Sequence, residues 1–321
     1  MEAHRSGETA ATKKPSLEDE EAELLIVLQK FRKNWMEMNS EFFGPFEATT
    51  GTDVGPKHYT ESRPPSGGMH YDALEIFLLK VDEIKEGLEW PLRVFGLVAV
   101  RDSMDYKRNI LFHRSKENCQ ILTEEDPYLE LTGPSRAIAL IDNPEYEVEL
   151  SVVGNNPSEG KILSAAVFGY NNNSYGESLA GLVRTRIVST KRSTIELKYS
   201  HLKLPLEATI EIHHLEGSCD FHGLFFAHVE YMGEEKIVLL HSIDSNLTVE
   251  PDGSIPLSRC VVLVEDNGKL MLGVKAWHGK NDQDTVVQHA VIPAKFHSKS
   301  NGELDVGFCK MAFSVYWSVL C

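Results

Sequence analysis

The sequence predicts a mainly β protein, built as two tandem antiparallel β-sandwich units that look like copies of one another and preceded by one amphipathic α-helix. Three observations predict it. Beyond residue 73 the chain is dominated by short apolar runs of strand type, punctuated by Gly, Asn, Asp and Pro. Helical spacing occurs convincingly once, near the N-terminus. Short phrases also recur in the same order at a spacing of roughly 125 residues.

The elements follow in order. Residues 1–15 are polar and read as a disordered N-terminus. Residues 16–43 read as the helix: Pro15-Ser16 followed by Asp19 forms a start signal, and Glu18, Glu20 and Glu21 favour the positive helix end. Leu24, Leu28, Phe31, Trp35 and Met38 then fall on one stripe. About two heptads are too few for a self-sufficient coiled coil, so the stripe either docks on the body of the protein or offers a dimer seam or partner-binding face. Residues 44–73, with Arg63-Pro64-Pro65-Ser66-Gly67-Gly68, read as an extended linker.

Residues 74–203 and 204–321 read as the two sandwich units. Tyr146 to Val152 alternates apolar and polar residues, and at the C-terminus Met311, Phe313, Val315 and Trp317 share one side of a strand. Asp266-Asn267-Gly268-Lys269 between two apolar runs predicts a hairpin. The repeat rests on Ser135-Arg136 against Ser258-Arg259, each opening an apolar run. It is extended by Ile110 to His113 against Val238 to His241, and by Tyr199 to Leu202 against Trp317 to Leu320. The same pattern is compatible with two separate sandwiches or one shared double sheet.

Charge and cysteine usage narrow the function classes. A formal net charge of −16 disfavours binding to a phosphate backbone, and the one compact basic cluster, Arg184, Arg186, Lys191 and Arg192, reads as a solvated strand edge. No apolar stretch approaches the about 20 residues that span a bilayer, so membrane insertion is not expected. Cys119, Cys219, Cys260, Cys309 and Cys321 are odd in number and form no CxxC pair. That usage, with a polar start lacking a secretory signal, points to the cytosol, with nuclear access open.

Candidate chemistry is sparse. His213, Cys219 and His222 are the best metal donors by type, although the adjacent His213 and His214 must face opposite sides of a strand and no fourth ligand is evident. Asp102 and Asp105, with Asp142, could seat calcium at a sandwich edge, but Lys107 and Arg108 beside them favour a solvated turn. There is no G-x-S-x-G elbow, no phosphate-binding glycine loop and no cofactor signature. Trp90, Trp277 and Trp317 read as core anchors. The reading that follows is a non-catalytic protein-interaction module with an unidentified protein partner. The alternatives are an enzyme or metal protein centred on His213–His222, and a calcium- or lipid-binding sandwich.

Several phrases resemble a plant family of unknown function that is expanded in grasses. They are Gly87-Leu88-Glu89-Trp90-Pro91-Leu92-Arg93-Val94-Phe95-Gly96, Val98-Ala99-Val100-Arg101-Asp102 and Glu125-Asp126-Pro127-Tyr128-Leu129. Leu131-Thr132-Gly133-Pro134-Ser135-Arg136, Val274-Lys275-Ala276-Trp277 and Asp305-Val306-Gly307-Phe308-Cys309-Lys310 extend the resemblance over about residues 74 to 320. Similar domains lie behind the N-glycosidase domain of jasmonate-induced ribosome-inactivating proteins. The resemblance therefore implies stress or defence biology. It carries no active site across, because the glycosidase's Glu-Ala-Ala-Arg motif is absent and the family has no established catalytic residues. It implies structural roles for the Ser-Arg strand starts and the Leu-Thr-Gly-Pro turn.

Overall fold

A computed structural model describes residues 17–50, 57–61, 70–154, 160–171, 181–242, 246–278 and 285–320. The helix α1 runs Leu17–Phe43 and, among the described residues, is followed by strands only, apart from a short 3-10 turn at Glu230–Met232. Ser16, the expected helix cap, and residues 51–56 and 62–69 of the expected linker lie outside the described residues.

The first series of strands is β1 (Ala73–Ile84), β2 (Leu92–Arg101), β3 (Asn109–Arg114), β4 (Gln120–Leu122), β5 (Ile138–Ala139), β6 (Glu145–Val153), β7 (Gly160–Gly169), β8 (Val183–Ser189) and β9 (Ser193–Leu202). The second is β10 (Leu206–Gly217), β11 (His222–Val229), β12 (Ile237–Ser242), β13 (Ser254–Ile255), β14 (Val261–Val264), β15 (Lys269–Trp277), β16 (Val286–Pro293), β17 (Ser298–Asp305) and β18 (Cys309–Val319). The first series makes sheets of order β5-β1-β9-β8 and β3-β2-β6-β7, and the second makes β14-β10-β18-β17 and β12-β11-β15-β16. Adding nine to each label of the first pair generates the second. Only β4 and β13 depart from this, pairing with β2 and β10 respectively. All pairings between these strands are antiparallel.

Each series closes its two sheets over its own core. Val94, Val98, Tyr146, Val148 and Leu150 from one sheet meet Ile76, Leu79, Ile195 and Leu197 from the other. In the second half Phe225, Leu272 and Val274 meet Ile210, Ile212, Phe313 and Val315. The alternation expected in Tyr146–Val152 and in Met311–Trp317 is thus the inward-facing set of β6 and β18. The Asp266-Asn267-Gly268 turn forms, with Asn267 at φ 64° and the Gly268 N–H donating to the Glu265 carbonyl at 2.8 Å. It does not make a hairpin. β14 pairs with β10 and β15 with β11, so the turn arches from one sheet to the other. All four residues of β14 are buried, which leaves it no wet face to present at a hairpin edge.

The halves are joined by an exchange of buried carboxylates. Glu75 on β1 lies opposite Ser200 on β9, and Glu207 on β10 lies opposite Ser318 on β18, so the two occupy equivalent places. Both are almost fully buried. Glu75 accepts from the Arg259 guanidinium and, at 2.6 Å, from the Leu263 N–H, both in the second half. Glu207 accepts from the Ala137 N–H of the first half at 2.7 Å. Ala73, Ala137, Ala139, Leu202, Leu263 and Leu320 form a small apolar cluster between the halves. Phe77 stands at a register shift in β1 and projects into the second core.

Burial pushes the Glu75 carboxyl from 4.5 up to about 7, against the opposing pull of Arg259. The folded value lies above the unfolded one, so ionisation costs more in the fold. Stability owed to this group is complete below about pH 4.5 and is lost as pH rises through about 7. The window corresponds to about 3 kcal/mol at most. Urea midpoints of the wild type and of Glu75→Gln, compared between pH 5 and pH 8, are expected to differ in slope. The wild type should lose more stability over that interval. Parallel slopes would contradict the assignment.

Candidate functional site

Helix α1 lies on the outer side of the sheet β3-β2-β6-β7, against β7. Leu28 and Trp35 are buried, and Leu24 and Phe31 are half-buried. Trp35 Nε1 donates to the Tyr106 carbonyl at 3.1 Å, and the Arg101 guanidinium sits 4.9 Å from the Trp35 ring and 4.2 Å from that of Phe46. Glu21 closes the other end: it pairs with Arg192 and accepts from the Ile162 N–H of β7 at 2.8 Å. Four of the five stripe residues therefore face the protein's own body. Met38, with 68% of its surface exposed, and Phe42 at 76% face solvent. Arg192 leaves the basic cluster read in the sequence, since it turns inward to Glu21.

Asp102 and Asp105 hold an arginine. Arg136 is fully buried, and its two terminal nitrogens reach Asp102 Oδ2 at 2.6 Å and Oδ1 at 2.7 Å, a bidentate pair, with Asp105 Oδ1 at 3.1 Å. Asp102 also accepts from the Ala139 and Met104 N–H groups, and Asp105 from Thr50 and the Lys107 N–H. Asp142 is exposed elsewhere. The oxygens read as calcium ligands are committed to protein donors. The two Ser-Arg starts are thus carboxylate-binding positions, Arg136 within its half and Arg259 across the halves.

The histidine and cysteine donors are rearranged relative to the sequence reading. Ile210 and Ile212 of β10 face the core, so the next residue of that parity is His214 and not His213. A ring nitrogen of His214 and the sulfurs of Cys219 and Cys309 lie within 4.8 Å of one another. Cys219 Sγ and Cys309 Sγ are 3.9 Å apart. His214 Nε2 is 3.1 Å from the Gly217 carbonyl, and a carbonyl only accepts, so Nε2 carries the proton and Nδ1 is the lone-pair nitrogen. Gly217, at φ 92°, faces Cys309 across the ladder. A Cβ there would come within 2.3 Å of the Phe308 carbonyl oxygen, so this turn requires glycine. Cys309 is buried at the start of β18, and burial together with Cys219 pushes its thiol up to about 12. His213 sits on the other face of β10, and His222 stacks on Trp277 with centroids 6.1 Å apart. Sequence reasoning missed Cys309 because it lies 90 residues from Cys219.

A relay runs from the half-buried Asp72 through His201 to Tyr170, with 2.9 Å at each step. The cavity beside Tyr170, lined also by Tyr146, Phe168 and Tyr199, measures about 10 Å³, room for one water. The relay therefore reads as a hydrogen-bonded brace.

The outer face of β12-β11-β15-β16 is the equivalent, in the second half, of the face on which α1 packs, against β7, in the first. Among the described residues α1 is the only α-helix, and it lies on the first half. Val238, Val287 and Val291 on the open face are 45%, 54% and 53% exposed, and Leu224, Met271 and Trp277 are half-buried. Phe226 lies across Gly273, with Lys236 Nζ 4.4 Å from its ring. None of these four strands contains Asp or Glu, in a chain with 48 of them. They carry Lys269, Lys275, His222, His228, His241 and His289. The first-half sheet, by contrast, has Glu145, Glu147 and Glu149 on β6 alone.

The architecture is that of a mainly β protein of antiparallel sandwich type with one N-terminal helix. Residues 73–315 match the family model of a domain of unknown function (DUF6598), and the chain belongs to that family. No curated protein matches. Two solved structures of human GIVD cytosolic phospholipase A2 show a loose likeness. One has TM-score 0.26 and 8% identity, over 78% of this chain and 31% of that one. The other, in complex with methyl gamma-linolenyl fluorophosphonate inhibitor and terbium chloride, has TM-score 0.23 and 7% identity, over 78% and 32%. The chain thus spans about a third of the length of those proteins, and scores this low bear on neither fold nor function.

Proposed function

We propose that the chain is a non-catalytic protein-interaction module whose second half receives an amphipathic helix with an acidic flank. The observation that carries this reading is the open outer face of β12-β11-β15-β16, apolar along Val238, Val287 and Val291 and with no Asp or Glu on its four strands. The internal repeat supplies the precedent for its occupant. On the equivalent face of the first half, an amphipathic helix buries Leu28 and Trp35 and spends Glu21 on an arginine and a backbone N–H. A helix laid on the second face would bury its apolar stripe on the valines and place its carboxylates beside Lys269, Lys275 and His289. The setting we propose is plant stress or defence, in the cytosol or nucleus, on the family resemblance and the unpaired cysteines.

The test uses a helical peptide of about 18 residues, five turns, with leucines on one stripe and glutamates flanking them. Its partner peptide carries lysines in place of the glutamates. The glutamate peptide is expected to bind the full chain and shift Trp277 fluorescence, and the lysine peptide to bind at least about tenfold more weakly, a difference of about 1.4 kcal/mol. Val287→Asp with Val291→Asp should abolish binding, and both sites are exposed enough to leave folding within about 0.5 kcal/mol per substitution. Equal binding of the two peptides, or binding indifferent to the double variant, would refute the proposal. So would self-association of the chain through this face at the concentrations used.

A further inference from the structure

We propose that His214, Cys219 and Cys309 form a binding site for a thiophilic closed-shell divalent cation, of which zinc is the type. Three strands of evidence converge on it. The donors are two sulfurs and an imidazole, a set that selects zinc over the oxygen-seeking cations. Their spacing fits: zinc–sulfur bonds of about 2.3 Å at a tetrahedral angle put two thiolates about 3.8 Å apart, and the two sulfurs stand 3.9 Å apart. A disulfide would need about 2.05 Å. The imidazole is oriented by a second partner, the Gly217 carbonyl, which fixes the proton on Nε2 and leaves Nδ1 to ligate.

The site draws its donors from three separate places: His214 near the end of β10, Cys219 in the loop before β11, and Cys309 at the start of β18. A register shift between His214 and Glu216 places Leu215 as an extra residue, and Gly217 then turns the chain so that the loop carrying Cys219 returns over Cys309. A bound cation would therefore tie the β10–β11 loop to the C-terminal strand. His214 and Cys219 are partly open to solvent, which leaves the fourth coordination position to water. Cation binding releases the two thiol protons to solvent, and no electron transfer is involved.

The experiment uses the full chain without an affinity tag, stripped by chelator and kept reduced. Cobalt(II) is added as the spectroscopic probe and zinc as competitor. One cobalt per chain is expected, with thiolate-to-cobalt charge-transfer absorption and tetrahedral d–d bands, both removed by one equivalent of zinc. Cys219→Ser and His214→Ala should each weaken zinc binding more than about 100-fold, and His213→Ala should leave it unchanged. Cys309→Ser sits in the core and can fail by misfolding, so the decision rests on the Cys219 and His214 variants, whose metal-free melting temperatures should match the wild type. Absence of the charge-transfer band overturns the proposal, as does equal loss in His213→Ala and His214→Ala. An octahedral cobalt spectrum without sulfur ligation overturns it as well.

Discussion

Replacing Arg259 by methionine is expected to cost about 3–5 kcal/mol of stability, because it strands a buried carboxylate. Glu75 and Arg259 are each 2% exposed, and the guanidinium has no route to solvent in the folded chain. Glu75→Leu should cost a similar amount for the mirror reason: it leaves a guanidinium charge uncompensated between the halves. Combining the two should recover much of the loss, since an apolar pair of similar volume is often neutral where a buried ion pair stood. The Leu263 N–H, which also donates to Glu75, loses its acceptor in that variant, so recovery should stop about 1–2 kcal/mol short. Denaturant melts of the four proteins close the cycle. Additive losses would mean that the two side chains do not act as a pair.

The second large effect is expected on cutting the chain between β9 and β10. Residues 70–203 and 204–320, produced separately, should each lack a cooperative unfolding transition, whereas the intact chain should unfold in one. Each piece would expose a glutamate buried without its cross-half donors, Glu75 in the first and Glu207 in the second. The first would also release Phe77 from the core it enters, and both would open the cluster around Ala73, Ala139 and Leu263. The cost falls on domains of modest size, for which net stability is only about 5–15 kcal/mol. Two independent sigmoidal transitions from the pieces would show that the halves are merely tethered.

Much of the β architecture was legible in the sequence because it is written at short range. Period-two alternation placed β6 and β18 and their inward faces. The helix stripe placed α1 and its buried side, except at Met38, which is exposed. The Asn-Gly turn misled because a turn fixes local chain reversal and not the partner of the next strand. The thiol–imidazole cluster was half legible. Extending the parity of Ile210 and Ile212 by two residues selects His214, yet nothing local announces Cys309, which only the β10–β18 pairing brings near. Arg136 and Arg259 read as structural strand starts, and their carboxylate partners lie too far along the chain to be paired by eye: Asp102 within the same half, and Glu75 across the halves. The open face was not legible at all, since a strand's bare side acquires meaning only beside an equivalent face that is covered.

That contrast between a covered and an open face is the centre of the account, and amide hydrogen exchange on the full chain saturated with the glutamate-flanked peptide tests it most directly. Protection is expected to rise in β11, β12, β15 and β16 and to stay unchanged in β2, β6 and β7, the sheet on which α1 already packs against β7. Protection that appears instead along α1 or the first-half sheet, with β15 and β16 unaltered, would contradict it.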